Sequence, residues 1–309
     1  MKDIRVEAFL VYMGRERNGV QRGRFNMRRL DYSLRQQLIE YIESCQVEDG
    51  GFFFARIPPS SARDTYFAVK SLHMIGEKPR RPWAIVDYFL NRAKNNSLNG
   101  LGGIFVAVEV MNELDQKIIP SLKNRAQWIR HLQNKAGGFG AIENIDIEVA
   151  SELEDTYRAI RTLKIIGTDF DEQKVTSFVS SLLNQDGGYG REGHSSLAST
   201  FYATEIRKLL RIEIPRLTST GDYLRDREDK WRANFDKGQV DFLENLFWLV
   251  KGLANMGEKS NIPERITEFV MACQRANGGF ARTTIMGIPT LEYTFYALSI
   301  LTECHALSS

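Results

Sequence analysis

A Gly-Gly-aromatic turn set between two helical stretches recurs along this chain, and it constrains the fold more than any other feature. Residues 45–76, CQVEDGGFFFARIPPSSARDTYFAVKSLHMIG, read as the end of one helix, the turn, a short loop and a second helix. LQNKAGGFG leads in the same way to ELEDTYRAIRTLKIIG, LNQDGGYG to SSLASTFYATEIRKLL, and CQRANGGF to TLEYTFYALSILTEC. Self-similarity of this kind marks stacked supersecondary units, none of which can bury its apolar face alone. The glycine pairs are Gly50-Gly51, Gly102-Gly103, Gly137-Gly138, Gly187-Gly188 and Gly278-Gly279. The last gap is about twice the others, and Phe235-Asp236-Lys237-Gly238 fits inside it as a degenerate turn. The pattern therefore predicts six helix pairs.

First helices are predicted over 34–45, 83–94, 119–133, 172–184, 219–232 and 263–274, and second helices over 62–75, 104–114, 151–166, 195–210, 240–256 and 290–303. First helices carry one apolar face, as in Leu38, Ile39 and Ile42 against Arg35, Glu40 and Glu43. That pattern belongs to an outer, half-solvated helix. Second helices are apolar on most sides, as in Phe295-Tyr296-Ala297-Leu298. Helices so apolar are enclosed on most faces, which favours a closed α6/α6 toroid over an open solenoid. No segment alternates like a strand. The turn glycines supply a helix stop at positive φ, the following aromatics can plug the gap between helices, and Ser60, Ser61, Ser151, Ser195 and Ser196 offer N-cap oxygens.

The 309 residues, 43% hydrophobic and 11% aromatic, can fill such a core. The organisation expected is a basic lead-in over 1–30 and one all-α toroid domain over 31–309. A net charge of +2 gives no global field for nucleic acid. No apolar run approaches the ~18 residues of a membrane span. Cys45, Cys273 and Cys304 form neither a metal spacing nor a disulfide framework, so the expected compartment is the reducing cytoplasm.

The pattern CQ-x-x-DGGF, a short polar loop, then T-[YF]-x-A-x-x-x-L resembles the repeat of protein prenyltransferase β subunits and of squalene and terpene cyclases, over nearly the whole chain. The resemblance implies a toroid of six helix pairs around an apolar cavity that holds an isoprenoid. For the prenyltransferases it also implies an α-helical partner subunit and a catalytic zinc held by Asp-x-Cys and a His. Aligned on Phe247-Trp248, those ligand positions fall on Phe242, Glu244 and Tyr293, with Asp241 one residue away. The zinc ligands are thus absent, and no cofactor is expected. Similarity to the cyclases points elsewhere, to an Asp-x-Asp-Asp-Thr motif whose middle acid protonates an alkene or epoxide. Glu152-Leu153-Glu154-Asp155-Thr156 resembles it. Three carboxyls so close cannot all ionise cheaply if buried, so Glu154 is the candidate acid, with Glu152 and Asp155 beside it. The same residues also suit a helix's first turn for dipole reasons alone.

Basic residues near inner-helix N-termini, where anions are favoured, are Arg63, Arg191, Lys237 and Arg282. His194 lies in the same kind of loop, and Asp64 beside Arg63 matches Asp155. Tyr66, Tyr157, Tyr202, Trp248 and Tyr293 are the expected aromatic wall, able to shelter a cation or simply to fill the core. Three functions stay open: a prenyltransferase-type enzyme taking an isoprenoid diphosphate or related lipid, a cyclase using Glu154, and a non-catalytic toroid that binds a lipid or a protein segment.

Overall fold

The structure is a computed structural model and describes residues 32–98, 100–114, 120–140, 153–212 and 217–305. The lead-in 1–30, Ser151 and Glu152 lie outside the described residues.

Twelve helices form among these residues, accompanied only by isolated antiparallel bridges. The outer set is α1 (Tyr32–Ser44), α3 (Pro82–Lys94), α5 (Pro120–His131), α7 (Glu172–Ser181), α9 (Leu217–Asp236) and α11 (Pro263–Ala272). The inner set is α2 (Ala62–Met74), α4 (Leu101–Glu113), α6 (Leu153–Ile166), α8 (Leu197–Leu210), α10 (Leu243–Asn255) and α12 (Leu291–His305). Each inner helix packs on the next, and α12 packs back on α2, so the inner barrel closes. Outer-helix C-termini and inner-helix N-termini share one face, here called the mouth. The six-pair toroid predicted from the repeat is the fold observed.

The turns explain the closure. Gly187 has φ +85°, and a Cβ there would stand 1.9 Å from the Ser219 carbonyl oxygen at the start of α9. Only glycine allows both the left-handed backbone and that approach. Gly278, at φ +90°, approaches Gln37 of α1 in the same way. The last turn therefore seats on the first outer helix and locks the ring. The turn aromatics Phe52, Phe139, Tyr189 and Phe280 are wholly or almost wholly buried. Their N–H groups donate to Thr65, Thr156, Thr200 and Thr294 at 2.9–3.2 Å. The Thr65, Thr200 and Thr294 hydroxyls donate in turn to the carbonyl four residues back, at 2.7–2.8 Å. The serine pairs divide their work. Ser61 and Ser196 cap α2 and α8, whereas Ser60 and Ser195 donate to the turn aspartates Asp49 and Asp186.

Two predicted features are corrected. Gly102-Gly103 is not a turn: both glycines lie in the first turn of α4, and the left-handed residue ending α3 is Asn96 at φ 52°. The second pair thus lacks a turn aromatic. The fifth outer helix is longer than predicted, because its charged stretch continues to Asp236, where Gly238 at φ +71° turns the chain.

Candidate functional site

The inner helices share one register: Arg63-Asp64-Thr65-Tyr66, Gly102-Gly103-Ile104-Phe105, Glu154-Asp155-Thr156-Tyr157, Ala198-Ser199-Thr200-Phe201, Glu244-Asn245-Leu246-Phe247 and Glu292-Tyr293-Thr294-Phe295. The fourth position is aromatic in all six. These rings form a closed circuit around the lumen. Tyr66 meets Phe105 at 5.7 Å, Phe105 meets Tyr157 at 6.2 Å, and Tyr157 meets Tyr202 at 5.8 Å. Phe201, packed on Tyr202, meets Phe247 at 5.3 Å, Phe247 meets Phe295 at 5.9 Å, and Phe295 returns to Tyr66 at 6.3 Å. All lie within the range of favourable aromatic pairing. Burial pushes the Tyr66, Tyr157 and Tyr202 phenols upward.

One turn above this girdle, at the mouth, Arg63, Arg158 and Arg282 are each paired with a carboxylate. Arg63 donates to Glu292 at 2.5 Å. Arg158 donates to Glu154 and, at 3.3 Å, to Asp155. Arg282 donates through Nε to Glu244 at 2.7 Å and lies 3.9 Å over the Phe242 ring. Tyr202 donates to the same Glu154 oxygen at 2.7 Å, and Tyr296 donates to Glu292 at 2.8 Å. Burial raises the Asp155 carboxyl, with Arg158 opposing and Glu154 adding to the shift. Burial likewise pushes Asp64 up to about 6. Glu244 Oε2 is buried and accepts no hydrogen bond among the described residues.

One turn below the girdle, the residue four positions on from each aromatic is polar: Lys70, Glu109, Arg161, Glu205, Lys251 and Ser299. Glu109 is 3% exposed and receives Arg161 at 2.6 Å, with Lys70 at 3.6 Å. Glu205 accepts from Asn255 at 2.7 Å, and Lys251 donates to Glu303 at 2.5 Å. An aromatic layer lies between two charged ones, and the seven helical steps from Arg63 to Lys70 span only about 10 Å.

The structure brings together Arg63, Asp64, Tyr66, Glu154, Asp155, Tyr157, Tyr202, Arg282 and Tyr293 around the mouth and girdle. Trp248 follows the girdle residue Phe247 on α10 and is partly buried against the core. Arg191, His194 and Lys237 are exposed on the loops and do not join the cluster. Sequence reasoning missed Arg158, Glu292, Tyr296 and the charged layer. The spacing of Arg158 from Glu154, four residues on one helix, was the available signal. At the positions set against zinc ligands, Phe242, Glu244 and Tyr293, a fixed guanidinium stands among the side chains. Only Glu244 offers a carboxylate, and Arg282 engages it. These residues do not fit a zinc ion. Among the described residues no group of three or more His, Cys, Asp or Glu is placed to hold a metal, and no helix is long and apolar enough to cross a membrane.

A closed α/α barrel with an aromatic girdle and a mouth at the inner-helix N-termini defines a class of toroidal domain. The chain belongs to the prenyltransferase alpha-alpha toroid domain family, which it matches over residues 25–119, 88–229 and 218–309. In fold it is similar to Candida albicans protein geranylgeranyltransferase-I complexed with GGPP, at a TM-score of 0.66 and 18% identity over 87% of this chain and 90% of that one. No curated protein matches it in sequence.

Proposed function

We propose that this toroid binds a short or coiled isoprenoid lipid in its aromatic lumen, with an uncharged, hydrogen-bond-donating head such as an alcohol at the mouth. The carrying observation is Glu244 Oε2, a buried acceptor without a donor. A buried unpaired acceptor costs free energy that a ligand hydroxyl can recover. A diphosphate, which only accepts, would be repelled there. The mouth supports the same choice: Arg63, Arg158 and Arg282 are already neutralised by Glu292, Glu154, Asp155 and Glu244. The charged layer around Glu109 sets the depth, which suits a short chain better than a long extended one.

Intrinsic tryptophan fluorescence tests this with a prenyl alcohol and the diphosphate of equal chain length. The alcohol is expected to bind more tightly, and Glu244→Ala to weaken it about tenfold. Tighter binding of the diphosphate, or binding of neither, overturns the reading. A second reading, protonation by Glu154, draws on one observation: the enclosed Tyr202 phenol links that carboxyl to the lumen. Oε1 already accepts from two donors, so the proton would sit on Oε2. Full turnover of a polyprenyl substrate by Glu154→Gln would remove it.

A further inference from the structure

Seven large apolar side chains are strongly exposed among the described residues. Six of them sit on three loops at the mouth: Ile57 before α2, Val240 and Phe242 before α10, and Ile285, Met286 and Ile288 before α12. The seventh, Trp83, is on outer helix α3. The three loops are contiguous. Leu243 donates its N–H to the Arg282 carbonyl at 3.0 Å, and α12 packs on α2. Tyr41 of α1 carries Arg56 5.9 Å over its ring and takes the closest approach of Gly279, so the Ile57 loop and the last turn meet on one ring. Exposed apolar side chains gathered this way mark an interaction surface, whereas scattered ones need no explanation.

The 283–286 turn is built rather than loose. Arg275 donates to the Thr283 carbonyl at 2.7 Å and to the Met286 carbonyl at 3.3 Å. Thr283 Oγ donates to the Met286 carbonyl at 2.8 Å and accepts its N–H at 2.9 Å. The polar atoms are consumed inside, so Ile285 and Met286 point outward with their backbone already held. The charges of the three loops are also one-sided. Residues 53–60 contribute only Arg56, and 281–290 only Arg282. Residues 237–242 contribute Lys237 and one acid, Asp241, which is folded onto the Phe242 N–H and Asn245.

We infer that the mouth docks on an anionic lipid surface, with Ile57, Val240, Phe242, Ile285, Met286 and Ile288 inserted at the headgroup boundary and Arg56 and Lys237 against acidic headgroups. Apolar insertion and basic attraction are the two contributions that hold a protein at a bilayer interface without spanning it. An orientation that sets the lumen against the bilayer suits a lipid ligand, which then moves from membrane to girdle without crossing water. The surface itself stands apart from the choice of lumen ligand.

Co-sedimentation of the full chain tests it with phosphatidylcholine vesicles and with mixed phosphatidylcholine–phosphatidylglycerol vesicles, all free of isoprenoid. Binding is expected to the mixed vesicles, to fall with salt, and to drop about tenfold or more in Ile285→Ser/Met286→Ser/Ile288→Ser. Trp83→Ser is expected to bind as the parent does. Absence of binding by the parent chain overturns the inference. So does retention by the triple variant, which would assign any binding to the basic segment 1–30. Sizing in solution supplies a further overturning outcome: a dimer that the triple variant abolishes would make this face a contact between two copies. Because the vesicles hold no isoprenoid, failure here leaves the lumen reading standing, and failure of prenyl alcohol binding leaves this one standing.

Discussion

Asp64 is the third residue of α2, where Ser61 caps the helix and its side chain accepts from the Asp64 N–H at 3.2 Å. Its carboxylate has one weak backbone donor, Phe54 at 3.4 Å, and is 9% exposed. Burial therefore holds its pKa at about 6, above the ordinary carboxylate value. A raised folded-state pKa means that the proton is bound more tightly in the folded chain. The contribution of Asp64 to stability is fully present below about pH 4 and is lost as pH rises through about 6. Asp64→Asn, which keeps the acceptor, is expected to flatten this slope and to stabilise the protein at pH 7 by about 1 kcal/mol, read from denaturant unfolding at several pH values. Glu109 presents the opposite case, a buried carboxylate compensated by Arg161 and Lys70. Glu109→Leu leaves Arg161 facing an apolar side chain, while Lys70 keeps Glu113 at 2.7 Å. A loss of about 2–3 kcal/mol is expected, below the fully buried figure because Arg161 is partly exposed and Lys70 stays paired. Adding Arg161→Met, which removes the cation left without its carboxylate, should recover much of it.

The threonine at the start of an inner helix is found only where a Gly-Gly-aromatic turn precedes it. Thr65, Thr156, Thr200 and Thr294 each accept the N–H of a turn aromatic. In α4 and α10, whose preceding turns lack that aromatic, Ile104 and Leu246 occupy the position. The threonine in Glu154-Asp155-Thr156 thus has an architectural task independent of any acid chemistry. Thr156→Val should cost about 1–2 kcal/mol in thermal unfolding, since the Phe139 N–H is then buried without an acceptor. Gly187→Ala, which combines φ +85° with a backbone collision, should cost about 2–4 kcal/mol. Gly76→Ala, at φ +76° with open space around it, should cost about 1 kcal/mol. Helix pairs and their order were legible in the sequence because glycine, threonine and the aromatics recur at fixed offsets. Gly102-Gly103 misled because a glycine pair also suits the first turn of a helix whose neighbour carries Arg158 close by. The charged layer escaped notice because Lys70, Arg161 and Lys251, taken singly, look like solvated helix positions. Only the shared register of six helices puts them on one level inside a barrel.

At the scale of the whole molecule, stability depends on closure. Gly278 seats on Gln37, and Phe295 and Tyr296 of α12 pack on Phe67 of α2 at 5.4 and 5.9 Å. Removing residues 259–309 would open the girdle and strip this contact from both neighbours of the missing pair. Calorimetry is expected to show loss of the single cooperative transition rather than a smaller stable ring, because each pair leans on the next for burial. Closure has one more consequence. Arg35, near the start of α1, donates to the Ile75 carbonyl at the end of α2, and Ser299, late in α12, donates to Met74. Tyr32 and the far end of α12 therefore both lie on the face opposite the mouth. A fusion partner, affinity handle or immobilising linker joined through either of those helices would hang from the underside of the ring. An anchored molecule would present its opening outward, and a circular permutant that bridges α12 to α1 could move its new ends without obstructing the lumen.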